Sequence, residues 1–289
     1  MQTEGLEKVG LIGLGIIGSR VAESLKGAGK QVYVWSRTPK PVANFLSSPE
    51  EVAGLSDIVQ LFTPDEKALL EVIKNMRPAL TKRHVIINHS TSDPEAVVEA
   101  YQIVRETGAA FLDCPFTGSR DAAEKGTLVY YAGGDPQVLD RVRPILEVSA
   151  KEIVYLGRVG EASVIKIATN MISAATMEIV AEAYGMIEAA GIDPARLQEA
   201  INHNGCRSPL IDAKLASVIK GDYEPHFTLK HLFKDIQYAL KMGKSLNVDQ
   251  PALTTTANVV YKTIKSGKGD LDFSVLAERF QASKPPSSK

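Results

Sequence analysis

At Gly157-Arg158-Val159-Gly160 the chain changes character. Upstream, short apolar runs alternate with helical patterns. Downstream, from Glu161 to at least Ala190, the pattern is helical without a break, too polar for a membrane span and too regular for a linker. Strands and helices in alternation, followed by helices alone, restrict the chain to an α/β layer joined to a helical one. Lys166 and Asn170 stand four apart early in the helical run. That spacing stacks both on one face, while Val164, Ile165, Ile167, Ala168, Met171 and Ile172 surround them with apolar surface. A lysine in that setting either runs its stem along the core to place the ammonium in water, or is kept there for chemistry.

Composition removes several classes of function. The 289 residues are 44% hydrophobic, enough for two modest domains, and carry a formal net charge of −1. The 33 basic and 34 acidic residues are interspersed, so no broad field for a polyanion exists and no nucleic-acid partner is expected. Cys114 and Cys206 match neither a zinc nor a redox spacing, which points to reduced thiols in a cytoplasmic protein. His84, His89, His203, His226 and His231 form no ligand-like cluster, so no metal site is expected. Lys8 and the apolar run after it imitate a signal peptide, but the four glycines at 10, 13, 15 and 18 argue for a strand turning into a helix. No membrane association is expected.

That strand-to-helix turn reads Gly13-Leu14-Gly15-Ile16-Ile17-Gly18. In a glycine pattern of this spacing the first residue permits the tight turn, the second lets a pyrophosphate approach the backbone, and the third lets helix and strand pack closely. The helix then presents its N–H groups and positive dipole end. A second strand follows at 31–35. At its end, where a carboxylate would bind the adenosine ribose, stand Ser36, Arg37 and Thr38, a hydroxyl and a guanidinium suited to a 2′-phosphate. NADP is therefore expected in preference to NAD, although Arg37 as a solvated loop residue remains the plain alternative. Further strands are expected at 57–62, 85–88, 109–114, 127–132 and 152–156, with helices between, which makes a doubly wound sheet. Ligands of such sheets gather at strand carboxyl ends. Three loops qualify: Phe62-Thr63-Pro64-Asp65, His89-Ser90-Thr91-Ser92, and Asp113 to Ser119. In the last, Thr117, Gly118 and Ser119 offer an anion cradle suited to carboxylate or phosphate, though a turn before a helix uses the same residues. After Gly160 helices are expected at 161–190, 194–202, 209–220, 229–246, 251–265 and 273–281; the first would span about 45 Å and link two domains.

In this order the motifs resemble the β-hydroxyacid dehydrogenase family over nearly the whole chain: Gly13 to Gly18, then Asp113-x-Pro115-x-Thr117-Gly118-Ser119 with Ala123-x-x-Gly126-Thr127-Leu128, then Gly157-x-x-Gly160 with Lys166 and Asn170, and finally Lys234-Asp235. The resemblance implies an N-terminal Rossmann domain (1–160) binding NADP and an all-α substrate and dimerisation domain (161–283) joined by the long helix; residues 284–289, with Pro285-Pro286, read as a disordered tail. It implies Lys166 as catalytic general acid/base with Asn170 as partner, and Thr117, Gly118 and Ser119 holding the carboxylate of a small substrate. Phe62, Thr63, Pro64, Thr91 and Lys234 would join Gly13 to Gly18 and Ser36 to Thr38 against the cofactor, with Asp235 ordering its helix. Thr117 and Phe116 replace the family's usual Ser and Val; Ser119 and Arg37 lean toward the glyoxylate/succinic semialdehyde reductase branch. The expected protein is a homodimer or homotetramer. An imine reductase of the same architecture and a catalytically silent dinucleotide-binding scaffold are the competing readings.

Overall fold

The computed structural model describes residues 8–280. The tail expected at 284–289 lies outside the described residues. The chain divides into two compact units, one ending at Lys166 and the other beginning at Ile167.

In the first unit, β1 (Lys8–Ile12), α1 (Ile16–Gly27), β2 (Gln31–Trp35), α2 (Pro49–Leu55), β3 (Ile58–Leu61), α3 (Glu66–Met76), β4 (Val85–Asn88), α4 (Pro94–Arg105) and β5 (Ala110–Asp113) form the wound part. These five strands are parallel, in the spatial order β2-β1-β3-β4-β5. Every residue of β3 and β4 is buried, as parallel strands covered on both faces require. Alternation along the strands serves two cores. Ile58, Val85 and Ile87 face one with Val9 and Leu25, while Val59, Leu61 and Ile86 face the other with Leu69 and Val97. Then come β6 (Phe116–Thr117), α5 (Arg120–Glu124), β7 (Leu128–Gly134), α6 (Pro136–Leu146) and β8 (Ala150–Tyr155). β7 runs antiparallel to β5 and β6 and parallel to β8, so the sheet is mixed. Helix starts follow local chemistry: Asp93 and Asp135 each precede a proline and accept the N–H two residues on.

The second unit contains no strand longer than the single bridge Thr228–Asp272 among the described residues. It takes most of α7 (Glu161–Ala189), with α8 (Pro194–Asn202), α9 (Pro209–Lys220), α10 (Leu229–Ser245) and α11 (Pro251–Thr263). Its core joins Ile167, Ala174, Met177 and Ala181 of α7 to Leu215, Leu232, Ile236, Leu253 and Val260. Residues 273–279 form a 3₁₀ rather than an α-helix. Residues 264–268 make a π turn in which Gly267 has φ 87°, which ends the helical pattern earlier than its periodicity suggests. One reading of α7 needs correction: by length and composition it is apolar enough to cross a membrane. Its apolarity reflects its place as the core helix of this unit, with nearly half of its most apolar stretch buried.

Candidate active site

The glycine turn between β1 and α1 shows three different demands. Gly13 has φ 103°, and a Cβ there would stand 2.1 Å from the Phe62 carbonyl oxygen; one at Gly18 would stand 2.0 Å from the Gly13 oxygen. A Cβ at Gly15 meets nothing within 4 Å. The backbone is thus crowded where the turn closes and open at the N-cap of α1, where N–H groups lacking intrahelical partners gather. These residues fit a dinucleotide pyrophosphate. A distinguishing result is expected: Gly15→Ala, with φ −76° already suited to alanine, changes stability by no more than about 1 kcal/mol yet weakens dinucleotide binding. Gly13→Ala destabilises the fold. Thermal melts beside dinucleotide titrations check both.

Beyond β2, Ser36 turns its hydroxyl onto the Thr38 carbonyl, and Arg37 and Thr38 are exposed. No carboxylate stands there. Lys40, which no motif flagged, donates to the Leu14 carbonyl and ties this loop to the glycine turn. After β3, Thr63 donates its N–H to the Ser90 hydroxyl at 2.8 Å, and the two hydroxyls lie 2.7 Å apart, joining the loops after β3 and β4. Pro64 is exposed, Thr91 half-buried.

His89 is fully buried among these loops. Its Nδ1 lies 2.7 Å from the Cys114 carbonyl oxygen and its Nε2 2.9 Å from the Gln60 side chain. The ring stacks on Phe62 at 4.7 Å and lies 4.6 Å from Tyr130. Burial holds the imidazole well below its ordinary range, at about 3 despite the Cys114 contact, so it is neutral.

Thr117 ends β6. Gly118 has φ 134°, with a Cβ position only 2.8 Å from the Leu128 side chain. Ser119 caps α5, its hydroxyl oxygen accepting from the Ala122 N–H at 3.3 Å, which leaves the hydroxyl hydrogen to donate. Arg120 pairs with the neighbouring Asp121.

Asp113, buried at the end of β5, anchors the start of α7. It accepts N–H groups from Gly160 (3.1 Å) and Ser163 (2.9 Å) and the Ser163 hydroxyl (2.7 Å). Burial pushes its carboxyl up to about 6 against those three bonds. One turn further, Lys166 is 8% exposed. Asn170, equally buried and four residues on along the same helix, donates from Nδ2 to Asp235 at 2.6 Å, and the Lys234 ammonium lies 3.0 Å from the other Asp235 oxygen. Asn170 and Lys234 therefore converge on one carboxylate inside the second unit. The Asp113 anchor and the Asp235 bridge join residues 50 and 65 positions apart, beyond the reach of local spacing.

Residues 8–157 match the NAD binding domain of 6-phosphogluconate dehydrogenase, and residues 160–280 match the domain described as NAD-binding of NADP-dependent 3-hydroxyisobutyrate dehydrogenase. Glyoxylate/succinic semialdehyde reductase 2 of Arabidopsis thaliana is 32% identical over 97% of this chain and 81% of its own. The 2-hydroxy-3-oxopropionate reductase of Escherichia coli is 31% identical over 95% and 97%. The chain spans about half the length of another group of relatives, the vertebrate nuclear factors N-PAC. In fold it superposes on the 3-hydroxyisobutyrate dehydrogenase of Mycobacterium tuberculosis with a TM-score of 0.88 at 23% identity, covering 96% of this chain and 100% of that one. With both units matched in order and relatives above 30% identity aligned over 81% and 97% of their length, the chain belongs to the β-hydroxyacid dehydrogenase family of NAD(P)-dependent dehydrogenases and reductases.

Proposed function

We propose that the protein is an NADP-dependent reductase of small carboxylate-bearing aldehydes or 2-oxo acids, with Lys166 as general acid/base. The observation that carries this reading is Lys166 itself: a buried lysine, one turn past a helix start locked to the sheet by Asp113. Both full-span relatives are named for substrates that pair a carbonyl with a carboxylate. A bound dihydronicotinamide supplies the hydride. Thr117, Gly118 and Ser119 hold the carboxylate by hydroxyl and N–H donors. Lys166 holds a proton at Nζ and gives it to the oxygen that gains charge, then takes it back in the oxidative direction. Asn170 orients the same oxygen, and Asp235, by accepting one amide hydrogen, decides which way that amide points.

The NADP preference rests on Arg37, exposed and with no carboxylate beside it at the end of β2, with Ser36 and Thr38 as hydroxyl neighbours. Arg37→Ala is expected to raise the KM for NADPH roughly tenfold or more, one charge-assisted contact of about 1.5–3 kcal/mol, and to leave that for NADH nearly unchanged. The test of the whole reading is a panel of semialdehydes, 2-oxo acids and cyclic imines assayed with NADPH and NADH. Turnover confined to imines turns the reading to an imine reductase, binding without turnover to a silent scaffold, and NADH preference removes the role of Arg37. A reducing, cytoplasmic setting is consistent with two free cysteines. Self-association as a dimer or tetramer is supported by Ile172, Ile179 and Met186, seven apart along α7 and each at least 60% exposed.

A further inference from the structure

We infer that His89 is a positioning residue that holds the loop leaving β3 and the loop leaving β5 in fixed register across the first unit's crevice. The inference rests on the reading above only for what the two loops carry, cofactor on one side and substrate carboxylate on the other; the register itself is independent of it.

A carbonyl oxygen only accepts, so the 2.7 Å contact to Cys114 places the hydrogen of the imidazole on Nδ1. The neutral ring then presents a lone pair at Nε2, 2.9 Å from the Gln60 side chain. Gln60 has its Nε2 buried with no partner. Exchanging the two ends of that amide makes Gln60 the donor to His89 and removes the orphaned N–H. Tautomer and amide orientation thus determine each other, and His89 becomes a two-ended strut from β3 through β4 to the residue after β5. Its faces do the same by packing. One stacks on Phe62, whose carbonyl oxygen closes on Gly13 and whose ring lies 6.2 Å from Phe116, beside Thr117; the other meets Tyr130 on β7, which bonds Ser149 at 2.8 Å. The titratable residues in contact with it are Cys114, just after β5, and Tyr130 on β7, neither of them a cation.

Hydride transfer requires the reacting carbons about 3–3.5 Å apart, and a misplacement of about 1 Å costs on the order of 10²-fold in rate. A strut between the loops acts on that separation and not on how tightly either ligand binds.

The experiment compares His89→Phe, which fills the space without the two hydrogen bonds, with His89→Asn, whose amide can donate to Cys114. NADPH affinity is read by quenching of Trp35, kcat and KM on the best acid of the panel, and hydrogen exchange by peptide. The expected result is a folded His89→Phe protein with kcat lowered about 10- to 100-fold, NADPH affinity within about threefold of wild type, partial recovery in His89→Asn, and faster exchange in 62–64 and 115–119 together. Exchange is read without substrate, so it reports the strut even if no acid is turned over. An unchanged kcat with an unchanged exchange pattern, or faster exchange confined to 89–92, overturns the inference.

Discussion

Replacing Lys166 by alanine is expected to lower turnover by about 10²–10⁴-fold while leaving NADPH affinity close to that of the wild type, the range removed when a positioned general acid is lost. The reasoning is one of location. Most of the residues proposed for the dinucleotide lie in the loops that leave β1, β2 and β3, with Thr91 after β4 and Lys234 on α10, whereas Lys166 sits on α7, six residues past Gly160. Its loss removes the proposed proton donor and deletes no group from the glycine turn or from the loop at Arg37. Thermal melts of the same samples separate a loss of chemistry from a loss of fold. Steady-state kinetics beside fluorescence titration of NADPH separates the two quantities. Unchanged turnover would remove Lys166 from the mechanism, and a parallel loss of NADPH binding would show that it holds cofactor.

The largest effect on stability is expected at Asp272, in the second unit and away from the proposed chemistry. Its buried carboxylate accepts the Lys214 ammonium at 2.7 and 3.0 Å, the N–H groups of His226, Phe227 and Ser274 at 3.0–3.2 Å, and the Ser274 hydroxyl at 2.8 Å. Lys214 is itself largely buried and lies 4.2 Å over the Phe273 ring. Asp272→Ala strands that cation and three N–H donors together, a loss of about 3–5 kcal/mol. The pH dependence has a definite sign. Burial by itself raises this carboxyl, but Lys214 and Ser274 outweigh it and hold the group below its ordinary 3.8. A depressed folded value means that the contribution is complete above the unfolded value and is lost as pH falls through the folded one. The deficit of the variant should therefore be constant from pH 7 to about 5 and shrink only below about 4. Denaturant unfolding at pH 7, 5 and 3.5 measures it; a deficit under about 1 kcal/mol at pH 7 would mean that the ion pair and its N–H donors are readily replaced by water.

Elements bounded by strong local chemistry were legible in advance. The strands at 31–35 and 85–88 and the helices at 194–202 and 209–220 have the expected limits, the helices because an Asp-Pro and a Ser-Pro pair begin them and Gly221 closes the last. The helix at 49–55 was missed, although Ser48-Pro49 begins it, because it follows a loop punctuated by Pro39 and Pro41 and is too short to show a helical period. Two-residue β6 and five-residue α5 escape any periodicity argument. The glycine turn was readable because Gly13 and Gly18 answer steric demands of the turn, while Gly15 leaves the start of α1 open. The Asp113 anchor, the His89 strut and the Asp235 bridge were not, because each depends on residues brought together from distant parts of the chain.

The strand order β2-β1-β3-β4-β5 has a consequence for how such proteins diversify. Everything that leaves β1, β2 and β3 belongs to the first 65 residues, while the cradle after β5 is encoded well downstream. On the proposed assignment, the glycine turn and the Arg37 loop that would hold the dinucleotide and the cradle that would hold the acid are written on separate stretches that meet only when the sheet assembles. Either can drift while the other is retained, so one inherited scaffold can serve relatives named for glyoxylate, succinic semialdehyde and 2-hydroxy-3-oxopropionate alike.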